Sequence, residues 1–185
     1  MGKKCIGVDV GGTSVKIGLF EMNGELLDKW EIKTRKENEG EAILPDVAAS
    51  IREKLEQRGL DLKEDIQGVG LGVPGPILPD GYVELCVNLG WRDFNPQKEL
   101  SSLLGGVIVK SGNDANVAAL GEMWQGGGKG YSDIVMITLG TGVGGGGILN
   151  QRRLCGADRL CHRNRKGGEK KDGLQQPSVS FEGSG

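Results

Sequence analysis

The chain has 185 residues, enough for one ordinary domain or two small lobes. Its net charge of −2, from 23 basic and 25 acidic residues, gives no electrostatic footprint for nucleic acid, and 4% aromatic content is too thin for a stacking surface on single strands. No apolar run approaches the ~20 residues of a membrane span, and Met1-Gly2-Lys3-Lys4 leads straight into a strand-length apolar run with no cleavage site, so the expected location is cytoplasmic.

In chain order, residues 5–10 and 14–20 are expected as a β-hairpin with Asp9-Val10-Gly11-Gly12-Thr13 at its tip. Residues 26–32 are a third strand after the turn Asn23-Gly24. Residues 41–58 place Ile43, Leu44, Val47, Ala48, Ile51 and Leu55 on one helical stripe, and Gly59 ends that helix. Residues 67–73 are a short buried strand stopped by Pro74-Gly75-Pro76, and 79–96 read as loop. A short helix at 98–104 and a strand at 107–110 follow. Asn113 opens a helix to about Gln125, and 126–130 is a flexible break. Residues 133–139 and 143–149 form a second hairpin with the tip Thr138-Leu139-Gly140-Thr141-Gly142. The order predicts a mixed α/β fold. Residues 151–185 are polar and basic, then rich in Gly, Ser and Gln, and are expected to be disordered.

Glycine is the outlier, at 34 residues. It collects in turns after apolar strands, where a missing Cβ lets backbone N–H groups approach a ligand, and successive N–H groups make an anion site. Two such turns, one in each half, suggest a nucleotide phosphate held from both sides. Asp9, at the end of an apolar strand, reads either as an ordinary turn residue or as an outer-shell ligand positioning hydrated Mg²⁺. Lys16 reads equally as a phosphate contact or a solvated strand residue. Asn113-Asp114-Ala115-Asn116 carries a strong N-cap signal. It also puts Asp114 in a first helical turn, where negative charge is favoured and a carboxylate can act as a base.

Other patterns lead nowhere. Gly70-x-Gly72-x-x-Gly75 fits a dinucleotide fingerprint but runs into prolines, and Gly140-x-Gly142-x-x-Gly145 runs into a strand. Gly126-Gly127-Gly128-Lys129-Gly130 lacks the spacing of a phosphate loop. His162, the single histidine, lies in the polar tail. Cys5, Cys86, Cys155 and Cys161 form no Cys-x-x-Cys pair, so neither a zinc site nor a disulfide framework is expected.

Taken together, Asp9-Val10-Gly11-Gly12-Thr13-Ser14-Val15-Lys16, Gly72-Val73-Pro74-Gly75-Pro76, Asn88-Leu89-Gly90-Trp91, Gly112-Asn113-Asp114-Ala115-Asn116 and Leu139-Gly140-Thr141-Gly142-Val143-Gly144-Gly145-Gly146 resemble, in this order, the motifs of bacterial ROK-family sugar kinases, above all the glucokinases of that family. The likeness runs from about Lys3 to Asp158. It implies a two-lobed actin-like ATPase (ribonuclease H-like) fold, with residues 1–112 as the first lobe and 113–158 as the start of an incomplete second lobe. It implies transfer of the ATP γ-phosphoryl group to a sugar 6-hydroxyl, with Mg²⁺ as the companion cation. By the same resemblance Asp114 is the general base, and Asn113, Gly75 and Asn88 are sugar-site residues. Asp9, Gly11, Gly12, Thr13 and Lys16 match the first phosphate motif, and Gly140, Thr141 and Gly142 the second. The partners implied are a hexose and ATP, with no nucleic acid and no membrane; the family is often homo-oligomeric. Repressors of the same superfamily are the alternative, and they carry a DNA-binding segment before the first phosphate motif.

The departures are as informative. The family continues with a Gly-Glu-Ile-Gly-His segment that supplies sugar ligands, then a cysteine-rich structural zinc motif, which is absent here, and most of the second lobe. This chain reads Gly156-Ala157-Asp158-Arg159-Leu160-Cys161-His162 at that place. Back-translated and read one nucleotide later, residues 159–165 can encode Gly-Phe-Ala-Thr-Glu-Ile-Gly. The expectation is a frameshift near Asp158 with an aberrant tail over 159–185, leaving a chain that binds ATP and sugar weakly, turns over little, or survives as a non-catalytic remnant.

Overall fold

The structure is a computed structural model that describes residues 2–139, 143–149 and 152–153. Its centre is a five-stranded sheet whose strands lie in the order Leu26–Lys33, Ser14–Glu21, Lys4–Val10, Ile66–Val73 and Val109–Asn113. β1 (Lys4–Val10), β2 (Ser14–Glu21) and β3 (Leu26–Lys33) form an antiparallel meander. β4 (Ile66–Val73) and β7 (Val109–Asn113) run parallel to β1. Parallel neighbours need long crossovers. α1 (Ile43–Gln57) lies between β3 and β4, while α2 (Pro96–Leu103) lies between β4 and β7.

One face of the sheet makes the core. Ile6, Val8 and Val10 alternate with Cys5, Gly7 and Asp9 along β1, and the first set is buried. They pack with Ile17, Leu19, Val69, Leu71 and Val73, and with the expected stripe of α1. β4 alternates the same way, so Gly68, Gly70 and Gly72 share the other face. The stop of α1 is a Schellman motif: Leu60 N–H donates to the Leu55 carbonyl at 2.9 Å and Gly59 N–H to that of Glu56 at 3.0 Å, with Gly59 at φ +64°.

The stretch expected as loop instead contains a hairpin, β5 (Val83–Cys86) with β6 (Trp91–Phe94). Its strands are too short to show a period, and tertiary burial of Val83, Cys86, Leu89 and Trp91 decides the outcome. α2 begins at Pro96 rather than residue 98, because Asn95 caps it by accepting from Lys98 N–H at 2.9 Å. β7 lies two to three residues later than expected and runs directly into α3 (Asp114–Gln125).

β8 (Ile134–Leu139) and β9 (Val143–Leu149) pair antiparallel, and β10 (Arg152–Arg153) adds to β9. α3 lies close against β9: a Cβ on Gly146 would sit 2.7 Å from the Ala115 carbonyl oxygen. Ile148 is buried, whereas Val135 and Ile137 on β8 are exposed. Among the described residues no helix is long and apolar enough to cross a membrane. His162, Cys155, Cys161 and the tail at 159–185 lie outside the described residues.

Candidate active site

The parallel strands β1, β4 and β7 end at the same edge of the sheet, the edge where open α/β sheets bind ligands. Three turns gather there: Gly11-Gly12-Thr13 after β1, Pro74-Gly75 after β4, and the passage from β7 into α3.

Register fixes the acids. Asp9 pairs with Lys16 on one side and with Gly72 on the other, and Gly72 pairs with Gly112. Gly72 leaves the space between Asp9 and the start of α3 open. Asp9, Gly72, Asp114 and Thr138 line a cavity of about 360 Å³ with Val8, Ala115, Val117 and Ala118. Asp9 remains solvent-reachable, yet the protein crowds it: loss of hydration is the largest cause that raises its pKa, the nearby Asp114 raises it further, and Lys16 opposes both.

Asp114 is half-buried, and two donors fix its Oδ1: Ala115 N–H at 2.8 Å and Asn113 Nδ2 at 3.0 Å. Neither bond uses Oδ2. Asn113 also caps α3, its Oδ1 accepting from Asn116 N–H at 3.1 Å, and its Nδ2 donates to the Gly75 carbonyl at 3.0 Å. The side chain expected at the sugar is therefore also the tie between the Gly75 turn and α3. Gly75 takes φ +97° with nothing within 4 Å of its Cβ position, so the turn is open above it. Behind the turn, the Cys86 thiol donates to the Pro74 carbonyl at 2.8 Å. Burial pushes the Cys86 pKa up, which keeps that donor protonated.

In the first glycine turn, Gly11 N–H donates to the Ser14 carbonyl at 3.1 Å, and a Cβ on Gly11 would lie 2.7 Å from the same oxygen. Gly12 faces open space, its nearest neighbour being the Asn88 carbonyl oxygen at 4.0 Å from the Cβ position. Exposed Asn88 thus stands beside the turn. Lys16 and Thr13 are exposed on the same hairpin.

The structure brings together Asp9, Asp114, Asn113, Gly75, Asn88, Gly11, Gly12, Thr13 and Lys16. Gly140, Thr141 and Gly142, expected as the second phosphate motif, lie outside the described residues. Thr138, named above only as part of the second hairpin tip, lines the cavity, and Cys86, named above only as an unpaired cysteine, backs the Pro74-Gly75 turn; no local pattern marks either role. The run at 126–130 is bound to its own helix, with Gly126 and Gly128 N–H on the Glu122 carbonyl and Gly127 N–H on the Glu122 carboxylate, which fits its reading as no phosphate loop.

The ROK family model matches residues 5–160. The chain is 45% identical over 156 residues to the glucokinase of Halalkalibacterium halodurans, covering 84% of this chain and 47% of that protein. It is 31% identical over 153 residues to the xylose repressor of Caldicellulosiruptor bescii, covering 82% of this chain and 38% of that one. Among solved structures, the ROK glucokinase of Streptomyces griseus in complex with glucose and AMPPNP superposes with a TM-score of 0.72 at 33% identity, over 83% of this chain and 46% of that chain. The chain spans about half the length of the curated glucokinase it matches. Its mixed α/β architecture is the corresponding part of the actin-like ATPase fold of ROK kinases, and the chain belongs to the ROK family.

Proposed function

We propose that this chain carries the nucleotide- and sugar-facing half of an ATP-dependent hexose kinase of the glucokinase type. One observation carries the reading: Asp9 and Asp114 converge on a single cavity at the ligand edge of the sheet, beside an open glycine turn. Residues 1–112 then serve as the first lobe, 113–158 as the start of the second, and 159–185 as an aberrant tail. Phosphorylation of glucose in the cytoplasm, at the entry to glycolysis, is the physiological counterpart of this reading.

The residues suit Mg-ATP. Asp114 raises the proton affinity of Asp9, and a cation between the two carboxylates would offset that repulsion. No group of three or more His, Cys, Asp or Glu side chains forms a metal cage among the described residues, so the fit is to a cation that keeps much of its water. Mg²⁺, when bound, neutralises phosphate charge. Asp9 orients that hydrated ion, Lys16 adds positive charge, and the Gly12 and Thr13 N–H groups of the first glycine turn face the phosphates, with Gly140, Thr141 and Gly142 as their counterpart. Asn88 and Gly75 border the sugar. Asp114 takes the proton from the 6-hydroxyl as its oxygen bonds to the γ-phosphorus and the bond from phosphorus to the β-phosphate oxygen breaks, releasing ADP.

The test is ADP release from Mg-ATP with glucose, first with this chain and then with the chain joined to the remaining half of the Halalkalibacterium relative. The likeness to a xylose repressor supports a second reading, a sugar-responsive regulator. That reading is favoured if the joined protein binds sugar and releases no ADP.

A further inference from the structure

Thr34 follows β3 and is one of few buried polar side chains, at 5% exposure. Its hydroxyl donates to the Gly11 carbonyl at 2.7 Å, and its N–H donates to the Thr13 carbonyl at 3.0 Å. One residue just beyond β3 thus holds two carbonyl oxygens of the first glycine turn.

A trans peptide points its C=O and the following N–H in opposite directions. With the Gly11 oxygen held at Thr34, the Gly12 N–H is aimed away from Thr34. Gly12 has no hydrogen-bond partner among the described residues, and the space above it is open. The peptide between Gly11 and Gly12 has glycine on both sides, so no Cβ resists its rotation. Turned over, it would offer an oxygen where an anion needs a donor.

We propose that Thr34 is a positioning residue for the phosphate cradle, its hydroxyl locking the Gly11–Gly12 peptide with the Gly12 N–H presented to a bound phosphate. This deepens the kinase reading and rests on it. Thr34 itself touches no substrate.

The experiment follows backbone amides of the 185-residue chain by NMR during titration with inorganic tripolyphosphate, for the wild type, Thr34→Val and Thr34→Ser. In the wild type the Gly12 and Thr13 amides shift saturably. Thr34→Val, which keeps the shape and removes the hydroxyl, binds about tenfold more weakly, and its ligand-free Gly12 amide shows exchange between two peptide orientations. Thr34→Ser restores both, a rescue that a merely packing role would not give. Thr34→Ala supplies the same reading if Thr34→Val does not fold. Unchanged affinity in a hydroxyl-free variant overturns the role of Thr34 and leaves the kinase reading standing. A wild-type Gly12 amide indifferent to tripolyphosphate overturns the phosphate cradle, and the role of Thr34 with it.

Discussion

Asp9 and Asp114 meet across a missing side chain: a Cβ on Gly72 would stand 3.6 Å from Asp9 Oδ1 and 3.8 Å from the Asp114 Cα. Both are ordinary contact distances, so Gly72→Ala should fold with little loss. Gly72→Val extends into the gap between the acids. It is expected to leave the sheet intact and weaken Mg-nucleotide binding about tenfold or more, measured by calorimetric titration of both variants.

The same pair makes stability depend on pH. Loss of hydration, then Asp114, raises the Asp9 pKa in the folded state. The folded chain therefore holds that proton more tightly than the unfolded chain, and ionising Asp9 costs the fold stability as pH rises through and above the ordinary carboxylate range. Asp9→Asn should melt higher than wild type at pH 7 and match it at pH well below 4. Mg²⁺ should narrow the difference at pH 7. A wild type that melts higher than Asp9→Asn at pH 7 without Mg²⁺ contradicts the expected sign.

Much of this site could be read from the chain. The β1–β2 tip and the Asn113-Asp114 start of α3 announce themselves by local chemistry, a glycine turn between apolar strands and a cap before a helix. Their meeting at one edge is a matter of parallel register, which no local pattern records. Gly72 illustrates the difference: in sequence it belongs to a false dinucleotide fingerprint, and in the sheet it is the gap between two acids. The β5–β6 hairpin was hidden because its four-residue strands sit among Pro, Asp and Gly. It exists through contacts distant in sequence, such as Trp91 Nε1 donating to the Gly40 carbonyl at 3.3 Å. The Asn95-Pro96 start of α2 was legible as a cap with proline at the first helical position, and the periodic pattern that begins at Lys98 obscured it.

Asn113 joins β7, α3 and the Gly75 turn through three hydrogen bonds, so its replacement affects stability before chemistry. Asn113→Ala removes the cap of α3 and the tie to Gly75, and should cost about 1–3 kcal/mol. Asn113→Ser keeps a capping oxygen and should recover about half of that loss. Chemical denaturation with Trp fluorescence gives both values. Equal stability of Asn113→Ala and wild type would remove the structural account.

Asp114→Asn tests the chemistry. The replacement keeps an oxygen to accept from Ala115 N–H and removes the carboxylate proposed as the base. In the chain joined to the rest of the Halalkalibacterium relative, kcat should fall about 10²–10⁴-fold with little change in nucleotide affinity. The 185 residues alone should turn over at least about a hundredfold more slowly than the joined chain, because alignment of hydroxyl and phosphorus is what closure of two full lobes supplies.

Gly11 and Gly12 are neighbours with different needs, and alanine separates them. At Gly11 a Cβ would come within 2.7 Å of the Ser14 carbonyl oxygen, the acceptor that closes the turn. Backbone must move to admit it, so Gly11→Ala should lose about 1–3 kcal/mol. That corresponds to a melting point lower by roughly 2–12 °C for a domain of this size. At Gly12 the nearest atom is 4.0 Å away, and Gly12→Ala should melt like wild type. Its methyl group occupies the face over which a phosphate would lie, so it should still weaken tripolyphosphate binding about tenfold. Two variants that both bind poorly, only one of them unstable, would separate the glycine that shapes the turn from the glycine that leaves room for the ligand. Full affinity in Gly12→Ala would mean that the phosphate lies elsewhere.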